Sequence, residues 1–394
     1  MAAYPQYVPD YTIQINGQNL PAQVRTAVTS VRYEEGRDVA SRVEMSVANP
    51  YLKLLQNHIR GLGFQPFPTS ITLGPVGALQ AAPAGTFDID NKFQLSIGYA
   101  PNPLEDVFLG EITGVNVTFP NGGMPGMTVV AHDYLNRLTR GKVARGFGFL
   151  PDAIIAAILG AENLLIPAID PAILAGSTAI AAVNYIFGGT GRKQRGQSDF
   201  ELLKEVATTY DADFWVDGNV LYLSRFLKDY TPRLTLAWGQ NMLDFSPKVS
   251  TIGQVAAVAM RFVLREIPLD FLVAVGYDFD RESIVISVVP GAAAASMQSM
   301  LGSVLEIIDQ PIASPADITN SALVVAREIR EKLNNRLTGT GSCVGDPRIR
   351  AGAMIRIEGV GPDFSGDYRV SSATHTIDGS GYKTVFEVRK ELIP

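Results

Sequence analysis

Val107-Phe108-Leu109-Gly110-Glu111-Ile112-Thr113-Gly114-Val115-Asn116-Val117-Thr118-Phe119 reads as one long strand. Asn121-Gly122-Gly123 then supplies residues that tolerate positive φ, and Met127-Thr128-Val129-Val130-Ala131 returns as the partner; together they form a β-hairpin. Upstream, Arg42-Val43-Glu44-Met45-Ser46-Val47 and Phe93-Gln94-Leu95-Ser96-Ile97-Gly98-Tyr99 alternate polar with apolar residues, the period-two signature of half-buried strands. Several such strands with few helices predict an antiparallel barrel or sandwich over residues 1–140 rather than a doubly wound sheet.

The same pattern returns near the other end. Phe364-Ser365-Gly366-Asp367-Tyr368 opens a strand, hairpin and strand closing on Val385, as Phe108-Leu109-Gly110-Glu111-Ile112 opens a unit closing on Val129. The tips match as well, Gly122, Gly123 and Gly126 in one and Gly379 and Gly381 in the other, where turn geometry favours glycine. The echo predicts a duplicated barrel, the second over residues 229–394, and two related barrels in one chain suit a pseudo-symmetric assembly.

Between them, residues 141–228 read as a small α/β module. Asp152 to Leu159 is a short apolar helix, followed by an Ala-, Ile- and Pro-rich stretch to Phe187. Ser198 with Glu201 three residues on forms a capping box, and Phe200, Leu203, Val206 and Ala207 share the face of a helix ending before Asp211. Phe214-Trp215-Val216 and Val220-Leu221-Tyr222-Leu223 flank the tight turn Asp217-Gly218-Asn219. Beyond residue 229, Val258, Met260 and Phe262 alternate as a strand, and a helix over about 321–337 shows Leu323, Ala326, Ile329 and Leu333 at helical spacing. Strands return in Met354 to Ile357, Tyr368 to Thr376 and Tyr382 to Val388. The fold class expected is β-rich α+β, two antiparallel β-barrels flanking a small α/β module.

Composition narrows the function. At 394 residues the chain exceeds one ordinary core. Hydrophobic residues at 46% against 18% charged exclude a disordered tail or linker. A net charge of −6 gives no overall basic field, which argues against a dedicated nucleic-acid binder. Cys343 is the only cysteine, so no intramolecular disulfide and no cysteine zinc cluster can form. The start Met1-Ala2-Ala3-Tyr4-Pro5 lacks a basic-then-apolar leader, so a cytoplasmic protein is expected. The uncharged stretch Pro171 to Gly191 is broken by Pro171, Gly176, Ser177, Asn184 and Gly188, which argues against a membrane span.

The residues that could carry chemistry are scattered. His58, His132 and His375 form no metal-ligand pattern. His132-Asp133 beside Tyr134 could pair a base with an acid, but neighbours on a strand point to opposite faces. No Gly-x-Ser-x-Gly elbow occurs. Gly188-Gly189-Thr190-Gly191-Arg192-Lys193 has the ingredients of a phosphate loop without its spacing. It reads as a mobile basic loop, with Arg192, Lys193 and Arg195 available to an acidic partner surface. Glu34-Glu35 and Asp88 with Asp90 offer carboxylates but no defined pair across a cleft.

An ordered set of motifs resembles the phage late control protein D family. It comprises Ser30-Val31-Arg32-Tyr33-Glu34-Glu35-Gly36 through Glu44-Met45-Ser46-Val47-Ala48-Asn49-Pro50, then Phe108-Leu109-Gly110-Glu111-Ile112-Thr113-Gly114. Ala131-His132-Asp133-Tyr134-Leu135-Asn136-Arg137-Leu138-Thr139-Arg140-Gly141 and Gln197-Ser198-Asp199-Phe200-Glu201-Leu202-Leu203 follow, then Gly345-Asp346-Pro347-Arg348, Gly352 and Tyr382-Lys383-Thr384-Val385-Phe386-Glu387-Val388. Together they span nearly the whole sequence. The resemblance implies the central hub of contractile phage baseplates, similar to the amino-terminal part of type VI secretion spike proteins. Such hubs are homotrimers whose two tube-like barrels per subunit adapt a threefold spike to a sixfold tube.

Implied partners are a second and third copy, a tube-initiator or inner tube protein, other baseplate (wedge) subunits and a spike. Assembly in the bacterial cytoplasm and residence in a phage tail or injection particle are implied too, with no catalytic residue, cofactor or metal. Because the chain stops at Pro394 after the last barrel strand, the spike is expected as a separate polypeptide and a lysozyme domain as part of another component.

Two stretches, 164–187 and 266–315, are longer than the resemblance implies. The first would be an aggregation hazard if exposed and is expected against a neighbour. Ile180, Tyr185 and Phe187 with Arg192, Lys193 and Arg195 are therefore the candidate interface residues. The alternatives are a tail-associated cell-wall hydrolase and a receptor- or carbohydrate-binding tail protein. The latter favours exposed aromatics at loop tips, whereas Trp215 and Trp238 read as strand-borne.

Overall fold

The computed structural model describes residues 8–37, 39–48, 86–186, 191–210, 212–224, 231–249, 257–264, 269–278, 283–290, 305–308, 334 and 336–390. The N-terminal region contributes β1 (Val8–Ile15), β2 (Gln18–Asn19), the one-turn helix α1 (Ala22–Arg25), β3 (Val28–Gly36), β4 (Arg42–Ala48), β5 (Lys92–Ala100), β6 (Glu105–Thr118) and β7 (Gly126–Asp133). A 3-10 turn, Tyr134–Thr139, leads to β8 (Val143–Gly148), α2 (Asp152–Glu162), β9 (Ile166–Ile169), α3 (Pro171–Ile186), β10 (Arg192–Gln197), α4 (Asp199–Thr209), β11 (Asp213–Asp217) and β12 (Val220–Ser224). The C-terminal region holds β13 (Leu234–Ala237), β14 (Met242–Val249), β15 (Ala257–Leu264), β16 (Leu269–Asp278), β17 (Ser283–Pro290) and β18 (Leu305–Ile308). It closes with β19 (Leu337–Val344), β20 (Met354–Glu358), β21 (Gly366–Asp378) and β22 (Gly381–Arg389). The protein is thus mostly β, with large antiparallel sheets and a small helical region, as the period-two patterning requires.

Alternation becomes burial. In β5 Phe93, Leu95 and Ile97 face inward, and in β4 Val43, Met45 and Val47 do the same. Each such side chain contributes roughly 1.5–3 kcal/mol on leaving water. The quoted hairpin forms from β6 and β7 in antiparallel register, Val115 opposite Val129 and Val117 opposite Met127. Gly110 is required there by close approach: a Cβ would lie 2.0 Å from the His132 carbonyl oxygen.

The two strand-rich regions are not separate at their seam. β21 pairs with β3 antiparallel, from Ser372 opposite Gly36 to Asp378 opposite Ser30. A single thirteen-stranded sheet results, in the order β14-β19-β22-β21-β3-β4-β7-β6-β5-β1-β2, with β20 attached to β21 and β13 to β20. Ile377 and Tyr382 accordingly sit in the N-terminal core with Tyr33, Phe93 and Phe108. A second core gathers Leu234, Leu236, Met242, Ile355, Ile357, Tyr368, Val370, Phe386 and Val388.

The middle segment has its own core of Leu135, Leu138, Ile155, Leu159, Leu202, Leu203, Val206, Phe214 and Leu221. Here α4 starts where its sequence says. Ser198 accepts the Glu201 N–H at 3.2 Å, and the Glu201 carboxylate accepts the Ser198 N–H at 2.7 Å. β9 joins the β11–β12 hairpin in parallel, Ile166 opposite Val220.

Two expectations change. Ala257–Leu264, expected as a strand of the C-terminal barrel, pairs with β16 and in parallel with β18 in a separate four-stranded sheet, β17-β16-β15-β18, so the elaboration begins before residue 266. The helix expected over 321–337 falls almost wholly outside the described residues, and its last position, Leu337, opens β19 instead.

Candidate functional site

Four of the six candidate interface residues converge on one concavity of about 370 Å³. Ile180 comes from α3, and Arg192, Lys193 and Arg195 from β10; Phe149, Leu150, Asp152, Gln197 and Tyr210 complete its walls. Asp170 starts α3 by accepting the Ala172 N–H at 3.0 Å, and Pro171 suits the first helical position. Ile173 and Ser177 face inward, while Tyr185 and Ile186 are 70% and 71% exposed. Tyr185 packs edge-on against Phe149 at 5.5 Å, outside the concavity. Phe187 lies outside the described residues.

Of the segment expected as a mobile basic loop, Gly188, Gly189 and Thr190 lie outside the described residues, and its basic part from Arg192 is a strand. β10 pairs antiparallel with β8, Lys193 opposite Gly146 and Gln194 opposite Arg145. Its three cations divide by role. The Arg192 guanidinium donates twice to the Asp152 carboxylate, at 2.5 and 2.7 Å, and Tyr210 donates to the same carboxylate at 3.0 Å. Burial, reinforced by that carboxylate, raises the Tyr210 phenol well above its ordinary value. Arg192 therefore braces the wall rather than awaiting a partner, because the start of α2 places a buried acid beneath it. Lys193 and Arg195 are exposed and form no ion pair among the described residues.

A second cleft, of about 440 Å³, opens where the three regions meet. Glu35 and Asp133 line it from the first region, Trp215 and Tyr222 from the second, Arg233 and Arg350 from the third. Trp215 and Tyr222, opposite each other in the β11–β12 register, stack at 5.1 Å. Arg350 donates to both Glu35 oxygens at 2.8 Å and to the Tyr33 hydroxyl at 3.1 Å, and Glu35 also accepts the Ala351 N–H at 2.8 Å. An ion pair thus ties the N-terminal region to the C-terminal one. A second ion pair, Arg37 with Asp213, ties it to the middle.

The catalytic candidates are held in structural roles. His132 hydrogen-bonds Thr113 at 2.6 Å, while Asp133 turns inward and accepts the Ser41 and Leu135 N–H groups at 2.8 and 3.1 Å. Burial raises Asp133 to about 6. Glu34 pairs with Arg32 while Glu35 is buried on Arg350, so the adjacent acids face apart. His375 is buried 2% exposed, and Cys343 is fully buried with its thiol pushed up by desolvation. Among the described residues no group of His, Cys, Asp or Glu could hold a metal ion, and no helix is long and apolar enough to cross a membrane.

Sequence reading missed Phe149, Leu150, Asp152 and Tyr210, whose only signal is Pro151 at the mouth of α2. It also missed the exposure of Trp238. That residue directly continues β13, its N–H donating to the Glu358 carbonyl and its backbone bridging Met242, but its indole is 62% exposed.

No protein-family model matches the chain, and no curated protein matches it in sequence. Its fold is nevertheless that of phage tail proteins. The 43 kDa tail protein of prophage MuSo2 from Shewanella oneidensis is 12% identical with a TM-score of 0.59, covering 96% of this chain and 98% of that one. The tail protein from Neisseria meningitidis MC58 is 9% identical with a TM-score of 0.60, covering 98% and 97%. An Escherichia coli component of the type VI secretion system, described as structurally similar to the T4 bacteriophage tail proteins gp27 and gp5, is 12% identical with a TM-score of 0.52, covering 97% and 80%.

Proposed function

We propose that this chain is a structural, non-catalytic baseplate hub of a contractile tail or injection system. As a homotrimer it would present six tube-like units and match a sixfold tube to a threefold spike. The observation that carries this reading is the end-to-end likeness in fold to phage tail proteins, with nearly all of both chains covered. The two glycine-tipped hairpins, β6–β7 and β21–β22, lying in one continuous sheet support it further, since a duplicated unit is what symmetry matching needs. Domain limits at 140 and 228 follow from the same reading. Its partners are further copies of itself, a tube or tube-initiator protein, a spike and other baseplate subunits, met in the bacterial cytoplasm where the particle assembles. The side chains that could have supported hydrolysis are engaged in structural pairs, which favours a scaffold over an enzyme.

The test is native mass by light scattering of the purified chain, alone and after co-expression with the tube and spike proteins encoded beside it. A trimer that captures both is expected; a stable monomer that ignores both overturns the reading.

A further inference from the structure

Trp238 continues β13 into a hydrogen-bonded turn, its backbone bridging Met242. Asn241 braces it, its Oδ1 accepting the Ala237 N–H at 2.8 Å and its Nδ2 donating to the Thr235 carbonyl at 2.9 Å. The Trp238 N–H donates to the Glu358 carbonyl at 3.0 Å and the Gln240 N–H to the Ala237 carbonyl at 3.1 Å, while Gly239 takes φ of +79°. The indole is 62% exposed, and Leu243, at the start of the next strand, is 55% exposed. An exposed tryptophan on a hydrogen-bonded backbone offers a large contact area for only two side-chain torsions, which is the character of an interface anchor. The nearby acid is Glu358, exposed at the end of β20; Arg356 two residues back is engaged by Asp367 at 2.7 Å.

The complement lies on the middle region. The concavity beside α3 is lined mostly by polar and charged groups, Lys193 and Arg195 among them, with Phe149, Leu150 and Ile180 forming a smaller apolar part. Its charged groups are Asp152, Glu205, Arg192, Lys193 and Arg195, a surplus of one positive charge; Arg192 takes Asp152, with Glu205 3.8 Å away, and Lys193 and Arg195 form no ion pair among the described residues. The Gln197 amide nitrogen at the same site is buried without a hydrogen-bond acceptor.

We propose that the Trp238 turn of one copy seats in this concavity of a second copy, with Glu358 approaching Lys193 and Arg195. The fit rests on one exposed aromatic meeting a hollow whose smaller apolar part is Phe149, Leu150 and Ile180, and on opposite charge between Glu358 and the Lys193 and Arg195 side chains. Because knob and socket are different surfaces, the contact is heterologous and propagates head to tail until a ring closes. The inference rests on the reading of the chain as a self-assembling hub and names the surfaces that would join its copies.

The test uses the full chain, with self-association measured by sedimentation and light scattering, and folding checked by circular dichroism. Trp238→Ala, at an exposed position, is expected to keep the fold and weaken self-association by about thirtyfold, the effect of a hot-spot residue. Lys193→Glu with Arg195→Glu should weaken it similarly, and adding Glu358→Lys to that double variant should restore it. Assembly of all variants as in wild type overturns the inference and leaves the hub reading intact; a wild-type chain that stays monomeric overturns both. Trp238→Ala that assembles normally but loses binding to cell-wall glycan fragments assigns the indole to a sugar and also overturns the inference.

Discussion

His375 is neutral because of where β21 carries it. Its Nε2 lies 3.0 Å from the Ile349 carbonyl and so must donate, which leaves Nδ1 to accept from Tyr382 at 2.8 Å or Thr384 at 3.0 Å. Tyr33 stacks on the ring at 5.7 Å. Burial lowers its pKa to about 4 from the ordinary 6.5. A depressed pKa stabilises the fold fully above about 6.5, and that contribution drains away as pH falls toward 4, amounting to about 3 kcal/mol. Asp133, raised to about 6 by burial, acts with the opposite sign: its contribution is present below its ordinary 3.8 and is lost as pH rises through about 6. Urea denaturation of wild type and His375→Gln at pH 7 and pH 4 isolates the histidine. The wild-type advantage should shrink by about 3 kcal/mol at the lower pH, and a constant difference would contradict a buried neutral imidazole.

Glu35 and Arg350 belong to the same scale. Arg350→Ala strands a carboxylate that is 7% exposed, and a loss of about 3 kcal/mol or more is expected in chemical denaturation. A loss below about 1 kcal/mol, the range of an exposed pair, would show the seam to be solvated.

At the scale of elements, local rules and close approach make separable demands. The α4 capping box is local: Ser198→Ala should cost about 1 kcal/mol of stability, measured by the urea midpoint with unchanged slope. Gly110 is decided by a neighbour. Gly110→Ala would push a methyl group into the His132 carbonyl across the β6–β7 ladder, and a loss of about 1–3 kcal/mol is expected, with slowed exchange protection lost first in that hairpin. Gly345 is alike in kind, a Cβ there lying 2.1 Å from the Tyr382 ring. Both glycines fall in motifs quoted for the family resemblance, and the structure supplies the steric reason for each.

For the whole molecule, the shared sheet makes the two strand-rich regions one cooperative unit. Ile377 and Tyr382 of the C-terminal region complete the N-terminal core, and the Tyr99 hydroxyl donates to the Gly345 carbonyl at 2.9 Å across the seam. Calorimetry should show the N- and C-terminal regions melting in one transition, and Ile377→Ala, at 2–5 kcal/mol by the usual cost of such truncation (roughly), should lower that transition as a whole. Two independent transitions, only one of them moved by Ile377→Ala, would mean that the seam is a docking contact rather than a shared core.

Sequence alone determined the hairpins, the capping box and the β-rich class, because turn glycines, helix caps and period-two burial are written in neighbouring residues. It also singled out Ile180, Lys193 and Arg195, since an apolar stretch beside unbalanced cations needs no fold to be noticed. Tertiary structure alone decided that Arg192 is internally paired, that Trp238 is exposed at the end of β13, that Ala257–Leu264 leaves the main sheet, and that β3 and β21 fuse two regions into one. These outcomes depend on partners up to hundreds of residues away, such as Glu35 and Arg350, and pairing at that distance is set by which surfaces fold together rather than by any local pattern.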